Sequence, residues 1–543
     1  MPKKYLIVIL ILILFIASFL RLFRLGNAPV SMTDDEIRLV YNAYSIWNTG
    51  KDINGIKFPL SFLVSGYAFN PVAIYITSPF VGLLGLSMFS SRLPFAISGI
   101  VMILLVYLIV VKLLENRVIA LLSSFALTFS VWHLQISRFA YEGTVALLFY
   151  LLGVYLFISS KKSNFSLSLS MFSFLIAFYS YSGTKLIFIP VILLLIWYRS
   201  KYFYFKQYFI VLAFILFALI IFVFLSKYQH ASVYGTNPFF FQDIRKASEE
   251  VELQRRGSYE PEFLKKIYHN KLTYWSKIFI GQYSYAVSPQ YLFTSQEASG
   301  IYSVRDRGQL YYIEAFLLVL GILYVFSKKP REFFLLFSFL ILAPLPSALG
   351  AEPVTYTIRS SFMLPWLTLF LGAGIYSIYH FIKNTKIRIL IYLFLTLAYI
   401  YLIGGYISQY YFNWVIYGSS FYSKASQDVV LFIDKEKEKN KMVIVSPGDS
   451  NLLLHYAFYK KLSPEIVQNL YKSKQIKAEN ILFKENCTSL KEINPREEIP
   501  SNSMFIISAR CPLVKEKTNY IIKPDSITRS LNKEDEWLIF KTN

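Results

Sequence analysis

Long apolar runs dominate the chain, and short polar or basic links separate them. A membrane-spanning helix needs roughly 20 predominantly apolar residues. Runs of about this length, joined by short charged links, are typical of a multi-pass membrane protein. The pattern predicts twelve apolar helical segments, at residues 5–25, 71–89, 93–111, 118–136, 144–158, 165–181, 185–198, 207–226, 309–327, 333–350, 361–381 and 388–411.

The basic links indicate which of these segments cross the bilayer. Lys3 and Lys4 place the N-terminus in the cytoplasm, because positive charge favours that side. If all twelve segments crossed, the four links richest in Lys and Arg would lie outside the cytoplasm. If segment 71–89 does not cross, all four lie on the cytoplasmic side. These links are Lys161-Lys162, Arg199–Lys206, Lys328–Arg331 and Lys383–Arg388.

Segment 71–89 also differs in composition, since Pro71, Pro79 and nearby glycines break it into two short halves. We therefore predict an interfacial or re-entrant helix there. This leaves eleven spans, with the N-terminus inside and the C-terminus outside. The predicted unit 1–411 then has a first outer loop at 26–92 and a large outer loop at 227–308.

Residues 412–543 are the one substantial soluble piece. Helical patterning at 424–439 and 450–461 is interspersed with β-like runs, which predicts a small extracytoplasmic α/β domain. Cys487 and Cys511 both fall in it, and whether they pair is left open. The β-like runs are 442–446, 504–508, 519–523 and 537–541.

Composition agrees with an α-helical polytopic membrane protein. The chain is 55% apolar and 16% charged, whereas a soluble domain has about 25% charged residues. Its net charge of +22 lies mainly in the short links, where it sets topology, and we predict no nucleic-acid partner. Two cysteines are too few for a thiolate metal site. No glycine-rich phosphate loop is evident in the sequence.

Three consecutive carboxylates, Asp34, Asp35 and Glu36, follow the first predicted span. Helix capping explains part of this, because Thr33 or Asp34 can cap a helix and acids are favoured in its first turn. Side chains at a helix start diverge, so we expect at least one of these acids to face a site on the outer surface.

Other charged residues are predicted on the same outer face. Glu142 follows Arg138 by one helical turn, which a surface ion pair would also explain. Lys185 and Arg359 stand at outer helix ends, where they either reach anionic headgroups or bind a phosphate. We predict donor-phosphate binding for Lys185, Arg359 and Arg138. His133 is predicted to be a packing histidine.

Carboxylates and cations on one outer face suit group transfer from a lipid-linked phosphate. A carboxylate, for which Asp35 is our choice, would take a proton from an acceptor hydroxyl, and this is worth ~10²–10⁴-fold in rate. Asp34, Glu36 and Glu142 would orient the sugar or the acceptor. The cations would stabilise the departing phosphate. No metal site is predicted, but a divalent cation is left open because adjacent carboxylates could hold one.

The order of several short motifs resembles the GT-C superfamily of membrane glycosyltransferases. The similarity is closest to bacterial glycosyltransferase family 39, the protein O-mannosyltransferase-like group, and to the aminoarabinose transferases of lipid A. It covers roughly residues 1–410. The motifs are Thr33-Asp34-Asp35-Glu36, Asn70-Pro71, Ser91-Arg92-Leu93-Pro94, Trp132–Arg138 with an acid four residues on, Tyr181–Lys185, Pro346-Ser347-Ala348 and Arg359-Ser360-Ser361.

The resemblance implies a polyprenyl-phosphate sugar donor and an inverting transfer of a hexose or pentose outside the plasma (inner) membrane. The acceptor would be a hydroxyl on a protein, a lipid or an envelope glycan. The family's essential first-loop acid belongs to an Asp-Glu pair that corresponds to Asp35-Glu36. Its second acid corresponds to Glu142, where many relatives have Asp. Members of this branch generally do not need a divalent metal in the way that oligosaccharyltransferases do.

Two other functions are consistent with a polytopic chain. A transporter or flippase of lipid-linked sugars would place acids in the middle of spans and often has an internal repeat. Here the acids fall at predicted helix ends, and no repeat is visible. A non-catalytic scaffold presenting residues 412–543 would not need the acids.

Overall fold

Helices dominate the computed structural model, and a mixed β-sheet forms near the C-terminus. The structure describes residues 2–541 except 65–66, 161–162, 229–238, 296, 298–299, 352–353, 447–451, 473–476, 484–500, 510–525, 530, 532 and 534. The predicted strand at 519–523, the Lys161-Lys162 link and both cysteines, Cys487 and Cys511, lie outside the described residues.

The helices are labelled α1 to α23 in chain order. They are Lys3–Leu22, Asp34–Thr49, Pro71–Leu83, Met88–Leu114, Arg117–Phe129, Val131–Ile136, Glu142–Ser159, Asn164–Ser180, Ser182–Arg199, Phe205–Tyr228, Ile244–Arg256, Glu262–Tyr268, Lys271–Ala286, Glu314–Lys328, Pro330–Leu342, Leu345–Ala348, Tyr356–Arg359, Leu364–Phe381, Thr385–Ser408, Trp414–Tyr417, Lys424–Glu436, Leu452–Tyr459 and Pro464–Lys472. Short π-helical turns at Gln290–Thr294 and Gln409–Asn413 add to them.

A helix lies at each of the eleven predicted spans. Within the described residues, eight helical segments are long and apolar enough to cross a membrane. The other three predicted spans contain shorter helices, α5, α8 and α14. The chain is thus a multi-pass membrane protein. The eight segments are Lys4–Leu22, Met88–Leu114, Glu142–Ser159, Ser182–Arg199, Phe205–Ser226, Pro330–Ala348, Ser361–Phe381 and Thr385–Tyr417.

The segment predicted not to cross forms α3, a helix of 13 residues with Pro71 in its first turn and Pro79 inside it. At ~1.5 Å per residue, this helix is about 20 Å long, shorter than the ~30 Å hydrocarbon core of a bilayer. It packs against α2 and α4. Its interfacial position stays a prediction.

The helix α18 lies at the centre of the bundle and packs closely on α14 and α5. A Cβ atom on Gly321 of α14 would lie 1.8 Å from the carbonyl oxygen of Phe370, and one on Gly374 would lie 1.9 Å from that of Leu317. Only glycine allows the two backbones to come this close, which is the small-residue packing common between membrane helices.

The C-terminal sheet has the strand order β4-β5-β3-β6-β8-β7, in which β3 runs parallel to β5 and β6 and the other neighbours are antiparallel. The predicted strands at 442–446, 504–508 and 537–541 are confirmed as β3, β6 and β8. The domain border at residue 412 stays a prediction. In chain order, β1 to β8 are Phe62–Val64, Tyr67–Phe69, Met442–Ser446, Lys477–Ala478, Ile481–Phe483, Ser503–Ser508, Ser526–Arg529 and Asp535–Lys541.

The C-terminal region packs directly on α2. Ile37 and Val40 of α2 share an apolar core with Leu454 and Phe458 of α22 and with Val467 of α23. The helices α2, α22 and α23 are therefore joined through one buried contact surface. This surface sets the position of the helix that carries the three acids.

Candidate active site

A capping box fixes the start of α2. The Thr33 hydroxyl accepts the Glu36 backbone N–H at 3.2 Å, and the Thr33 N–H donates to Glu36 Oε2 at 3.0 Å. This pair satisfies two helix-end N–H groups that would otherwise lack partners. The helix begins at Asp34, so the three acids occupy its first turn as the sequence predicted.

Glu36 is the buried member of the three. Arg92 of α4 binds it through two nitrogens, with Nε 2.9 Å from Oε1 and Nη2 3.1 Å from Oε2, and both side chains are almost fully buried. The Ala140 backbone N–H also donates to Oε1, at 3.0 Å. Both carboxylate oxygens are thus engaged in joining α2 to α4. This geometry favours a structural role for Glu36 over the catalytic role predicted for it.

Arg138, predicted to bind donor phosphate, is fully buried. Its Nη1 donates to the carbonyls of Leu20 and Arg21, each at 2.8 Å, and its Nη2 donates to those of Phe23 at 2.9 Å and Ala28 at 2.8 Å. The guanidinium donates to carbonyls at and just after the end of α1, and the carbonyl of Leu20 also accepts from the Tyr411 hydroxyl. These contacts favour a structural role for Arg138 over the phosphate-binding role predicted for it.

Asp35 is the acid that faces outward. Its side chain is 59% exposed, and Oδ1 lies 3.1 Å from Arg38 Nη1. Partial burial raises the pKa of Asp35, the Arg38 charge offsets part of this, and the charges of Asp34 and Glu36 raise it further. The net effect is a pKa above the usual value. Of the three acids, Asp35 is the one available to a ligand.

Asp34 turns towards the C-terminal region. Its Oδ1 lies 2.7 Å from His455 Nε2 and 3.3 Å from Ser423 Oγ. Burial by itself would raise the pKa of Asp34, but the hydrogen bond and charge of His455 outweigh it, and the pKa lies below the usual value. Asp34 is therefore an ionised acceptor held by residues that lie about 400 positions further along the chain.

Asn70 joins two of the other predicted site residues. Its backbone N–H donates to Glu142 Oε1 at 2.6 Å, and its side-chain Nδ2 donates to Oε2 at 3.1 Å. Its Oδ1 accepts from Lys185 Nζ at 3.1 Å. Glu142, Asn70 and Lys185 stand at the starts of α7, α3 and α9, so three helix ends meet here. The charges of Lys185 and Asp35 both act on Glu142. We call Asp35, Asn70, Glu142 and Lys185 the polar cluster.

Arg359 ends the short helix α17 and packs against backbone. A Cβ atom on Gly350 would lie 2.0 Å from its Nη1, so glycine is needed there to leave room for the guanidinium. No carboxylate among the described residues forms an ion pair with Arg359. Its charge and that of Glu142 both act on Tyr181. Arg359 therefore lies within electrostatic range of the ring that borders the polar cluster.

An apolar groove of about 500 Å³ adjoins the polar cluster. A smaller pocket next to it is lined by Asn70, Lys185 and Phe222, and the two share several residues. The groove thus places an apolar surface next to the pocket that the Lys185 side chain lines. Its lining residues are Leu60, Pro71, Val72, Tyr75, Ile76, Phe149, Leu175, Ile176, Tyr179, Ile221 and Leu225, of which Leu60, Pro71, Tyr179 and Leu225 are shared.

No group of three or more His, Cys, Asp or Glu side chains arranged to hold a metal occurs within the described residues. Both oxygens of Glu142 already accept from Asn70. His133 packs in the core, with Nδ1 2.6 Å from Arg21 Nη2.

Three residues of the site region carried no predicted role. Arg92 and Asn70 stand in the motifs that suggested the family, so their positions were signalled, although their partners were not. His455 had no signal, because it meets Asp34 across 421 positions of sequence. A single sequence does not encode such a pairing in any local pattern.

Residues 69–226 match the family model described as dolichyl-phosphate-mannose-protein mannosyltransferase. A search of curated proteins found no significant sequence match. The matched segment contains Asn70, Glu142, Lys185 and Arg92, but it ends before Arg359 and begins after the three acids.

Solved structures with a similar fold cover most of the chain. The apo oligosaccharyltransferase of Archaeoglobus fulgidus has a TM-score of 0.50 at 14% identity, and the match covers 84% of this chain and 64% of that one. The same organism's oligosaccharyltransferase AglB, in complex with an inhibitory peptide and a dolichol-phosphate, matches at 0.50 and 12% identity over 93% of this chain and 69% of its own.

ArnT from Cupriavidus metallidurans in the apo state matches over nearly the full length of both proteins. The TM-score is 0.50 at 10% identity, with 99% of this chain and 98% of that chain covered. Identities this low establish the fold and leave the reaction open. The chain has the fold of the GT-C superfamily of membrane glycosyltransferases, as its motif order predicted.

Proposed function

We propose that this protein is a polyprenyl-phosphate-dependent glycosyltransferase that moves a sugar to an acceptor hydroxyl at the outer face of the membrane. The observation that carries this proposal is the apolar groove next to the small pocket that Lys185 lines, where Asn70 joins Lys185 to the Glu142 carboxylate. The family match and the dolichol-phosphate bound to the structurally similar AglB support the same class of donor.

The groove is suited to the isoprenoid part of such a donor. A polyprenyl chain that enters the groove moves from one apolar medium, the bilayer, to another. Its binding therefore gains little hydrophobic free energy. The contribution of the groove is to hold the chain in one path and to place the phosphate at Lys185. Arg359, which pairs with no carboxylate in the described part of the chain, supplies a second positive charge within range of the cluster.

Asp35 is the proposed base. The acceptor oxygen forms a bond to the anomeric carbon while the bond from that carbon to the phosphate oxygen breaks. The hydroxyl proton passes to Asp35, and the polyprenyl phosphate leaves with the electron pair. Attack from the side opposite the phosphate inverts the configuration. A carboxylate with a raised pKa is a better proton acceptor than an ordinary one, provided that it stays ionised at the working pH.

Lys185 and Arg359 stabilise the charge that grows on the leaving phosphate. Glu142 holds Asn70 through both oxygens, and Asn70 in turn holds Lys185, so Glu142 orients the phosphate-binding ammonium. Asp34 and Glu36 support the first turn of α2. The transferred group is a hexose or a pentose, and the acceptor is a hydroxyl on a protein, a lipid or an envelope glycan.

The proposed location is the plasma (inner) membrane, with the N-terminus in the cytoplasm. The basic links of the sequence support this orientation. This orientation places the polar cluster and residues 412–543 on the extracytoplasmic side of the membrane. A flippase is less well supported, because Asp35 and Glu142 lie in the first turns of α2 and α7 and not in the middle of spans.

The test is transfer of label from radioactive polyprenyl-phosphate hexoses and pentoses by the purified protein, with a crude envelope extract as acceptor. We expect label to move to a glycan, lipid or protein and polyprenyl phosphate to be released in equal amount. Label that crosses reconstituted vesicles without being transferred would contradict the proposal and indicate a flippase. Neither transfer nor crossing with any donor would point to a scaffold.

A further inference from the structure

Two side chains from the C-terminal region meet at Asp34. His455 of α22 lies with Nε2 2.7 Å from Asp34 Oδ1, and Ser423 directs its hydroxyl to the same oxygen at 3.3 Å. His455 is fully buried, whereas Asp34 is partly open. A buried histidine of the C-terminal region therefore contacts a partly exposed acid in the first turn of α2.

The ring of His455 is held mainly by this bond. Asp34 is ionised and can only accept, so Nε2–H donates. The other ring nitrogen, Nδ1, is buried and has no hydrogen-bond partner among the residues that the structure describes. Its orientation therefore depends on Asp34 and on packing alone. Buried polar atoms normally find partners, so this arrangement is one that a purely structural histidine rarely shows.

Ser423 adds an independent sign of constraint at the same place. It stands directly before α21 with φ of +47°, in the left-handed region that non-glycine residues seldom adopt. Such conformations persist only where the surrounding structure requires them, and they concentrate at functional sites. In this conformation its hydroxyl reaches Asp34.

Other hydrogen bonds join the C-terminal region to α2 and to the residues just before it, and they do not involve Asp34. Ser31 Oγ and Tyr459 Oη lie 2.7 Å apart, Tyr41 Oη donates to the Leu462 carbonyl at 2.9 Å, and Gln468 Nε2 donates to Thr49 Oγ1 at 2.9 Å. The C-terminal region can therefore stay docked when the contact at Asp34 is removed. This separation makes the role of His455 open to experiment.

We propose that His455 is a positioning residue for the transfer reaction, which it serves by fixing Asp34 and, through the first turn of α2, the carboxylate of Asp35. This inference rests on the proposed function. It makes α22 part of the catalytic unit, because a side chain from this helix sets the geometry and the charge next to the proposed base. A shift of about 1 Å at a reacting group can cost ~100-fold in rate.

The test compares three variants of the full-length protein. His455→Leu removes the donor, and His455→Gln keeps an N–H donor at a similar reach. Tyr459→Phe removes a hydrogen bond from the same helix, α22, to Ser31, which lies three residues before Asp34. We expect His455→Leu to lower kcat at least about tenfold with the donor KM unchanged. His455→Gln should recover most of the activity, and Tyr459→Phe should resemble the wild type.

The pH profile gives a readout that a merely structural role would not move. Without the His455 donor, Asp34 binds its proton more tightly, and a neutral Asp34 no longer raises the pKa of Asp35, so the acid limb of kcat should move to lower pH in His455→Leu. In an Asp34→Asn background, His455→Leu should have no further effect on kcat, because the proposed path runs through Asp34. Equal losses in His455→Leu and Tyr459→Phe, with an unmoved acid limb, would overturn the proposal.

Hydrogen–deuterium exchange separates this inference from the proposed function. Amides of residues 34–38 should exchange faster in His455→Leu than in His455→Gln or Tyr459→Phe, whether or not a donor is known. If the wild type transfers no sugar, the proposed function fails, and faster exchange in His455→Leu alone would still support the coupling. Unchanged exchange at 34–38 would refute the positioning role in either case.

Discussion

The buried ion pair between Arg92 and Glu36 leads to a prediction that distinguishes a structural role of Glu36 from a catalytic one. Arg92 uses its guanidinium for Glu36 and for the carbonyls of Pro29, Ser31 and Leu25. Replacing Arg92 by Met fills a similar volume but removes every one of these donors. Glu36 is then left as a buried carboxylate that keeps only backbone N–H partners.

The expected cost follows from burial. Breaking a buried pair by removing one partner typically costs ~3–5 kcal/mol, because the other charge stays uncompensated. Both side chains here are almost fully buried, so the upper part of that range applies. Replacing both residues by apolar ones should cost less than the sum of the single changes, since no charge then remains unpaired.

The assay is equilibrium unfolding in detergent micelles for Arg92→Met, Glu36→Leu and the double variant. Arg256→Met is the matched control, because its ion pair with Glu252 is exposed and exposed pairs contribute about 0–1 kcal/mol. If Arg92→Met keeps the wild-type free energy of unfolding but abolishes transfer, Glu36 has a catalytic role and our structural assignment is wrong.

Three further predictions concern the polar cluster and the groove. Lys185→Met should raise the donor KM at least about tenfold, because a charge-assisted contact to phosphate is lost, while Lys265→Met, whose ion-pair partner Glu262 is exposed, should not. Asp34→Asn removes a negative charge that raises the pKa of Asp35, so the acid limb of kcat should move to lower pH; a limb that moves up would contradict this. Ile176→Trp should narrow the groove and weaken binding of long-chain donors more than short-chain ones, and equal effects on both in a competition assay would argue against the groove.

The elements of the fold were predictable where local physics decides them. Apolar runs of sufficient length became helices at every predicted span, and the proline-broken run 71–89 became the short helix α3. The short β-like runs at 442–446 and 504–508, each with four consecutive apolar residues, became adjacent strands. In each case, hydrophobic pattern and turn chemistry act over a few residues and are visible in one sequence.

The site was predictable only in part, because burial and pairing are tertiary properties. The sequence indicated that the acids after the first span diverge, but not that Glu36 would turn inward to Arg92 across 56 positions. In the sequence, the charge of Arg138 suggested a phosphate ligand. In the structure, Arg138 lies beside the end of α1 and donates to backbone carbonyls there. The base role of Asp35 and the phosphate roles of Lys185 and Arg359 stay predictions.

The most direct test of the account is the rate of sugar transfer by Asp35→Asn, measured under saturating donor beside the wild type and beside Asp306→Asn, an exposed acid of the large outer loop. Loss of a general base predicts a fall in kcat of ~10²–10⁴-fold, with donor KM and thermal stability unchanged, and wild-type kcat in Asp306→Asn. Transfer by Asp35→Asn at the wild-type rate would contradict the assignment of the base and of the site built around it.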